Sequence, residues 1–187
     1  MVTSSTAGTQ LKPRHGGRFF ANVLANRVIN GEQHNYYRLT NDVRFFRPLN
    51  PYSVVGLWSH LDYQFGQFPE YIHFGLGGQN NLRGYEPGTF KAAHVWNQSV
   101  EMRITPWAKR FYRLPIAGLS DFLISLVMFA DTGIAWDQES DFTLQNFHAG
   151  YGWGLRLFSP FQDVARFDVG YNQRGRVRMY FTTGVRF

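Results

Sequence analysis

Leu82-Arg83-Gly84-Tyr85 is the stretch whose residue types most plainly could do chemistry. A guanidinium is always charged and offers a planar fork of donors that fits a carboxylate. This one lies in the run from Phe74 to Phe90, which is too rich in Gly, Asn and Pro for the interior of a helix or strand. Its flanks, Leu82 and Tyr85, are residues that a solvated loop would avoid. The pattern predicts a loop tucked against a wall with its Arg aimed at an acid. Two acids qualify. In 97–104 alternate residues Asn97, Ser99, Glu101 and Arg103 share a polar face, and Asp131 follows the apolar run 122–130. A carboxylate held away from water is costly unless paired, so Arg83 is expected between Glu101 and Asp131. Gly150, Gly152 and Gly154 fall on one face of a further strand, and glycines in register there predict close approach of another backbone, for which the loop is the candidate.

Other candidate chemistry is thinner. His15, His34, His60, His73, His94 and His148 have no metal-ligand spacing, and the chain has no Cys, so no metal and no cofactor is expected. Gly75-x-Gly77-Gly78 lacks the Lys-Ser/Thr and the strand-to-helix context of a phosphate loop. Asp168 and Arg166 share a face and read as an ion pair of the wall. No nucleophile, base and orienting acid stand together, so the chain reads as a non-enzyme. The enzyme alternative is a membrane lipase, for which Ser59 with His60 or Ser99 with His94 would have to serve.

The elements that must position these groups read as strands. Period-two alternation bounded by Gly, Asn, Pro and Asp predicts eight of them, over 18–28, 35–46, 53–66, 92–105, 121–135, 147–158, 164–172 and 177–187. In the last, Val177, Met179, Phe181, Thr183, Val185 and Phe187 oppose Arg178, Tyr180, Thr182, Gly184 and Arg186. Residues 1–17 show no period and are expected to form a mobile or weakly held arm. They carry no apolar core of a leader either, and an export signal is read as removed before this numbering begins. The organisation expected is thus an arm, 1–17, and one barrel domain, 18–187, with an inserted loop at 67–91.

Alternation alone would equally suit a water-soluble sandwich. Composition separates the two. Aromatic residues make up 18% of the 187-residue chain, more than the core of such a domain holds, which predicts interfacial girdles at a bilayer. Charged residues are 17%, against about 25% in soluble domains. Several strands reach the roughly ten residues that, tilted, cross the apolar band of an outer membrane. The net charge of +6 comes without any basic run, so nucleic acid is not expected as a partner. If the last strand ends at the periplasm, the loop 67–91 originates outside the cell.

Taken in order, Leu82-Arg83-Gly84-Tyr85 after a Gly-rich run, Phe129-x-Asp131-x-Gly133, Gly150-x-Gly152-x-Gly154-x-Arg156 and a terminal strand ending in Phe187 resemble the BamA/TamA bacterial surface-antigen family of outer-membrane barrels. The resemblance runs from about residue 18 to the end. It implies that the Arg83 loop folds into the lumen against Glu101 and Asp131, with Gly133 joining the loop-packing glycines. It also implies that the ending, with Tyr180, Gly184, Val185 and Phe187, is the signal by which such barrels are recognised for assembly. The implied function is insertion or translocation of proteins or lipids at the outer membrane, with the bilayer, lipopolysaccharide and a protein or lipid client as partners. The alternative is a non-translocating pore or an envelope-structural barrel. Two departures from the family pattern matter: no periplasmic POTRA repeat fits within these 187 residues, and the eight strands expected match the C-terminal half of a sixteen-stranded barrel. A closed ring of eight strands has no room for an inserted loop, so two copies are expected to complete a sixteen-stranded homodimeric wall.

Overall fold

The computed structural model describes residues 2–5, 14–26, 35–105, 112–113, 121–158 and 164–183. Every long element in it is a strand. In chain order these are β1 (Val2–Ser5), β2 (Gly16–Asn26), β3 (Tyr36–Asn50), β4 (Ser53–Gly66), β5 (Phe74–Leu76), β6 (Phe90–Ala92), β7 (His94–Ile104), β8 (Tyr112–Arg113), β9 (Asp121–Trp136), β10 (His148–Phe158), β11 (Val164–Asn172) and β12 (Val177–Thr183). Three single 3-10 turns, Glu70–Ile72, Glu139–Asp141 and Leu144–Asn146, lie in the connections.

One antiparallel sheet carries the order β1-β2-β3-β4-β7-β9-β10-β11-β12, with β8 on the end of β9. Its eight long strands are β2, β3, β4, β7, β9, β10, β11 and β12. Among the described residues no ladder joins β12 back to β1 or β2, so the sheet is an open wall. Val2–Ser5, part of the stretch without period, pair with Arg18–Ala21. The β3–β4 hairpin is longer than its pattern implies: pairing continues through a register shift near Pro48 to Asn50 opposite Ser53, the kind of irregularity that admits a residue without a donor.

The two faces of the wall are inverted relative to a soluble sheet. Leu57, Val100, Leu126, Met128, Tyr151, Trp153 and Leu155 point outward and are exposed, and at the open end Met179 and Phe181 are 70% and 72% exposed. The alternate residues on the same strands, Ser99, Glu101, Arg103, Asp131, Arg156, Arg166 and Asp168, are buried. A sandwich would cover the apolar face. This wall covers the polar one and leaves an apolar surface that only lipid or another apolar partner satisfies. No helix among the described residues is long and apolar enough to cross a membrane, which leaves crossing by strands open.

Register places the inward side chains in rows. Ser99, Asp131, Gly150 and Asn172 lie side by side across β7, β9, β10 and β11. The next row holds Glu101, Phe129, Gly152 and Gly170, extended onto β12 by Arg178. The third holds Arg103, Val127, Gly154, Asp168 and Tyr180. Strand periodicity reveals which face a residue occupies; only this register reveals its row.

Candidate functional site

The segment between β4 and β7 turns inward and covers these rows. Its stem is the hairpin β5–β6, paired from Phe74 opposite Ala92 to Leu76 opposite Phe90. Two three-residue strands therefore flank a tip that is loop, in a stretch whose glycines and asparagines gave no strand signal. Asn81 shapes the tip by standing in for backbone. Its Oδ1 accepts the N–H of Gly77 at 2.9 Å and of Leu82 at 2.8 Å, and its Nδ2 donates to the Gly75 carbonyl at 2.9 Å. Leu76, Leu82, Tyr85 and Val95 form a small buried core under it, with Phe74, Phe90 and Ala135 packed around. That core is what anchors the loop by apolar contact. The tip turns at Gly84, whose φ of +96° is left-handed and whose missing Cβ would press on the backbone of Tyr171 and Asn172.

Beyond the turn Arg83 is fully buried. Its Nε donates to Asp131 Oδ2 at 2.7 Å and its Nη2 to Oδ1 at 2.8 Å, a bidentate pair, and its backbone N–H donates to the same carboxylate at 3.0 Å. Nη1 reaches Glu101 Oε2 at 3.2 Å, and Nη2 also donates to Ser99 Oγ at 3.2 Å. The guanidinium carbon stands 3.3 Å from the centre of the Phe129 ring, so one face of the cation rests on an aromatic. All three nitrogens of the fork donate.

The structure thus brings Arg83, Glu101 and Asp131 together, and adds groups that the sequence reading assigned elsewhere or passed over. Asp168 Oδ2 lies 3.8 Å from Arg83 Nη1. Its carboxylate also binds Arg156 and, at 3.0 Å, Arg166. It is a third acid of the cluster, more than the wall pair with Arg166 that face-sharing implied. Arg156 also reaches Glu101 at 3.4 Å, and Arg103 Nε lies 3.3 Å from the other Glu101 oxygen. Four guanidinium groups, Arg83, Arg103, Arg156 and Arg166, so face three carboxylates in a connected network. Such a network is held by completeness: each charge is affordable only while its partners stay.

The glycines divide by role. A Cβ on Gly150 would overlap the Arg83 carbonyl oxygen, and one on Gly133 would meet Leu76 of the loop. Gly152 and Gly154 do not receive loop backbone, contrary to the expectation for the whole row. Gly152 makes room for the Phe129 ring beside the Val169 carbonyl, and Gly154 for the Asp168 carboxylate and Arg156. The second glycine beneath the loop is Gly170, where a Cβ would stand 2.7 Å from the Gly84 nitrogen. Its signal was available, because Gly170 shares a face with Asp168.

Tyr180, read as part of a terminal assembly signal, points inward and touches the loop: its hydroxyl accepts from the Gly84 N–H at 3.0 Å and donates to the Tyr85 carbonyl at 2.7 Å. Gly184, Val185 and Phe187 lie outside the described residues. The serine and histidine pairs of the lipase alternative are otherwise occupied. Ser99 donates to Asp131 at 2.6 Å, Ser59 accepts from the Trp96 indole at 3.1 Å, and His94 Nδ1 accepts from the Gln64 N–H. His60 sits between Asp42 and Asp62 at 3.3 and 2.9 Å, beside a cavity of about 410 Å³ on the β3–β4 side of the loop. Among the described residues no three His, Asp or Glu are arranged to hold a metal ion. What the main arrangement does chemically is neutralise: it seats a loop on a polar wall with its charges paired.

Comparison with known proteins agrees with this architecture. No curated protein matches the sequence. Among solved structures, the crystal structure of BamA from Haemophilus ducreyi lacking POTRA domains 1-3 superimposes with a TM-score of 0.71 at 16% identity over 97% of this chain. The chain spans 41% of the length of that structure. Residues 2–187 match the Omp85 superfamily domain, and the chain accordingly belongs to the Omp85 superfamily.

Proposed function

We propose that the chain acts at the bacterial outer membrane in the insertion or translocation of proteins or lipids, as one half of a lumen wall that a second copy completes. The observation that carries this reading is a sheet, apolar outside and charged inside, with no closing ladder among the described residues and with its own loop seated on the inner face. Unpaired edges in lipid leave backbone donors and acceptors unsatisfied, so they drive pairing either with a second copy or with an incoming strand. Weak pairing at such an edge is what lets a client strand enter. The role is one of templating and of bilayer disturbance, without catalysis and without a cofactor. The exposed apolar belt meets the acyl chains of the outer-membrane lipids, lipopolysaccharide among them.

The test is reconstitution in liposomes with an unfolded barrel protein as client. Accelerated folding of the client, together with a two-chain particle by native mass spectrometry from lipid nanodiscs, supports the proposal. Client folding at the rate of empty liposomes supports the second reading, a non-translocating pore or envelope-structural barrel; ion conductance then marks the pore, and its absence, which the loop seated on the inner face favours, marks the structural barrel.

A further inference from the structure

The inward face of β12 carries a device that joins this strand to the loop. Tyr180 lies on the inward face of β12, and its hydroxyl closes on two backbone groups of the Arg83-Gly84-Tyr85 turn, accepting from the Gly84 N–H at 3.0 Å and donating to the Tyr85 carbonyl at 2.7 Å. Two residues away on the same face, Arg178 pairs with Glu86 of the loop. The Arg83 side chain itself is held on β7, β9 and β11, through Ser99, Glu101, Asp131 and Asp168. Among the described residues β12 is hydrogen-bonded to β11 alone on one side and to nothing on the other. An edge strand of the wall and the loop seated on its inner face therefore share a side chain.

We propose that Tyr180 is a positioning residue that couples the seating of the Arg83 loop to the docking of the terminal strand. Coupling of this kind is reciprocal. Parting β12 from its place must either break both Tyr180 hydrogen bonds or drag the loop tip with it, and withdrawal of the loop removes those two bonds and the Arg178–Glu86 pair from β12. Applied to client entry at the strand edge, this rests on the proposed insertion activity; the coupling itself is a property of the free chain and is measured without a client.

The experiment is hydrogen–deuterium exchange of the full chain in lipid nanodiscs, following peptides that span 82–86 and 177–183. Tyr180→Phe keeps the ring and removes only the hydroxyl, and retained heat-modifiable gel mobility verifies that it folds. Loss of this donor and acceptor is expected to speed exchange roughly tenfold in both peptides at once. Arg178→Gln, which loosens the neighbouring contact, gives the same paired change at smaller size. Arg83→Lys speeds exchange of 177–183 when Tyr180 is present and adds nothing to it in the Tyr180→Phe background. Parental rates in both peptides, or a change confined to one of them, overturn the coupling. A liposome assay without client folding, beside a positive exchange result, overturns the insertion reading and leaves the coupling standing.

Discussion

Arg83→Ala is expected to destabilise the protein by about 3–5 kcal/mol, the range for breaking a buried ion pair from one side. The loss falls mainly on one acid. Glu101 keeps Arg103 and Arg156, and Asp168 keeps Arg156 and Arg166. Asp131, 2% exposed, loses its bidentate cation and keeps neutral donors such as the Ser99 hydroxyl and the residue-83 N–H. Two consequences separate this account from a loss of packing. Arg83→Lys recovers only part of the stability, because an ammonium cannot make the bidentate pair to Asp131 while reaching Glu101. Asp131→Asn in the Arg83→Ala background recovers part as well, because the buried charge that lost its guanidinium is gone. Urea unfolding in detergent micelles, read by the shift from compact to extended gel mobility, measures all three. Parental midpoints for Arg83→Ala would mean that the loop is held by something other than its cation.

Gly150→Ala is the second large effect. One methyl group is added in a strand interior, where alanine is ordinarily harmless, yet here its Cβ would coincide with the Arg83 carbonyl oxygen. Neither side can yield cheaply. Gly150 is pinned between Asp131 and Asn172 in the ladders, and the Arg83 backbone is fixed by its own N–H to Asp131. Overpacking costs typically ~1–3 kcal/mol and more where backbone meets backbone, so the expected outcome is a displaced loop. Limited proteolysis checks it: cleavage after Arg83 or Lys91 in folded, liposome-embedded protein should appear in Gly150→Ala and be absent in the parent. Gly75→Ala is the matched control, since the nearest atom to its Cβ would be 3.4 Å away. Equal protection of both variants would contradict the close approach.

These effects show which parts of the molecule were legible in advance. Arg83, Glu101 and Asp131 stand out in the sequence because each breaks its surroundings, a cation in an apolar-flanked loop and two acids within strands, and the three side chains meet in the structure. The strands stand out because alternation with period two survives in each. Row position does not. Asp168, Gly170 and Arg156 sit on the right face by sequence, but only the ladder from β9 through β11 brings them level with Arg83. That is long-range register, which no local pattern encodes. The same limit explains why Gly150, Gly152 and Gly154 looked alike when only the first lies under the loop. Tyr180 is hidden in a different way: alternation turns it inward, but nothing local reveals the loop turn that it meets. The β5–β6 stem was hidden because three residues per strand are too few to show a period.

The central claim is that the Arg83 cation lies inside the wall, paired with Asp131, in the protein as it sits in a bilayer. Solid-state NMR of uniformly ¹³C,¹⁵N-labelled protein in liposomes measures that pairing directly, through the dipolar contact between the Arg83 guanidinium nitrogens and the Asp131 carboxylate carbon, assigned with Arg83→Lys and Asp131→Asn. The account predicts a strong contact that either substitution abolishes, with Arg83 signals that persist after transfer to deuterated buffer. A mobile Arg83 side chain, exchanging freely with solvent and showing no contact to any carboxylate carbon, would contradict it.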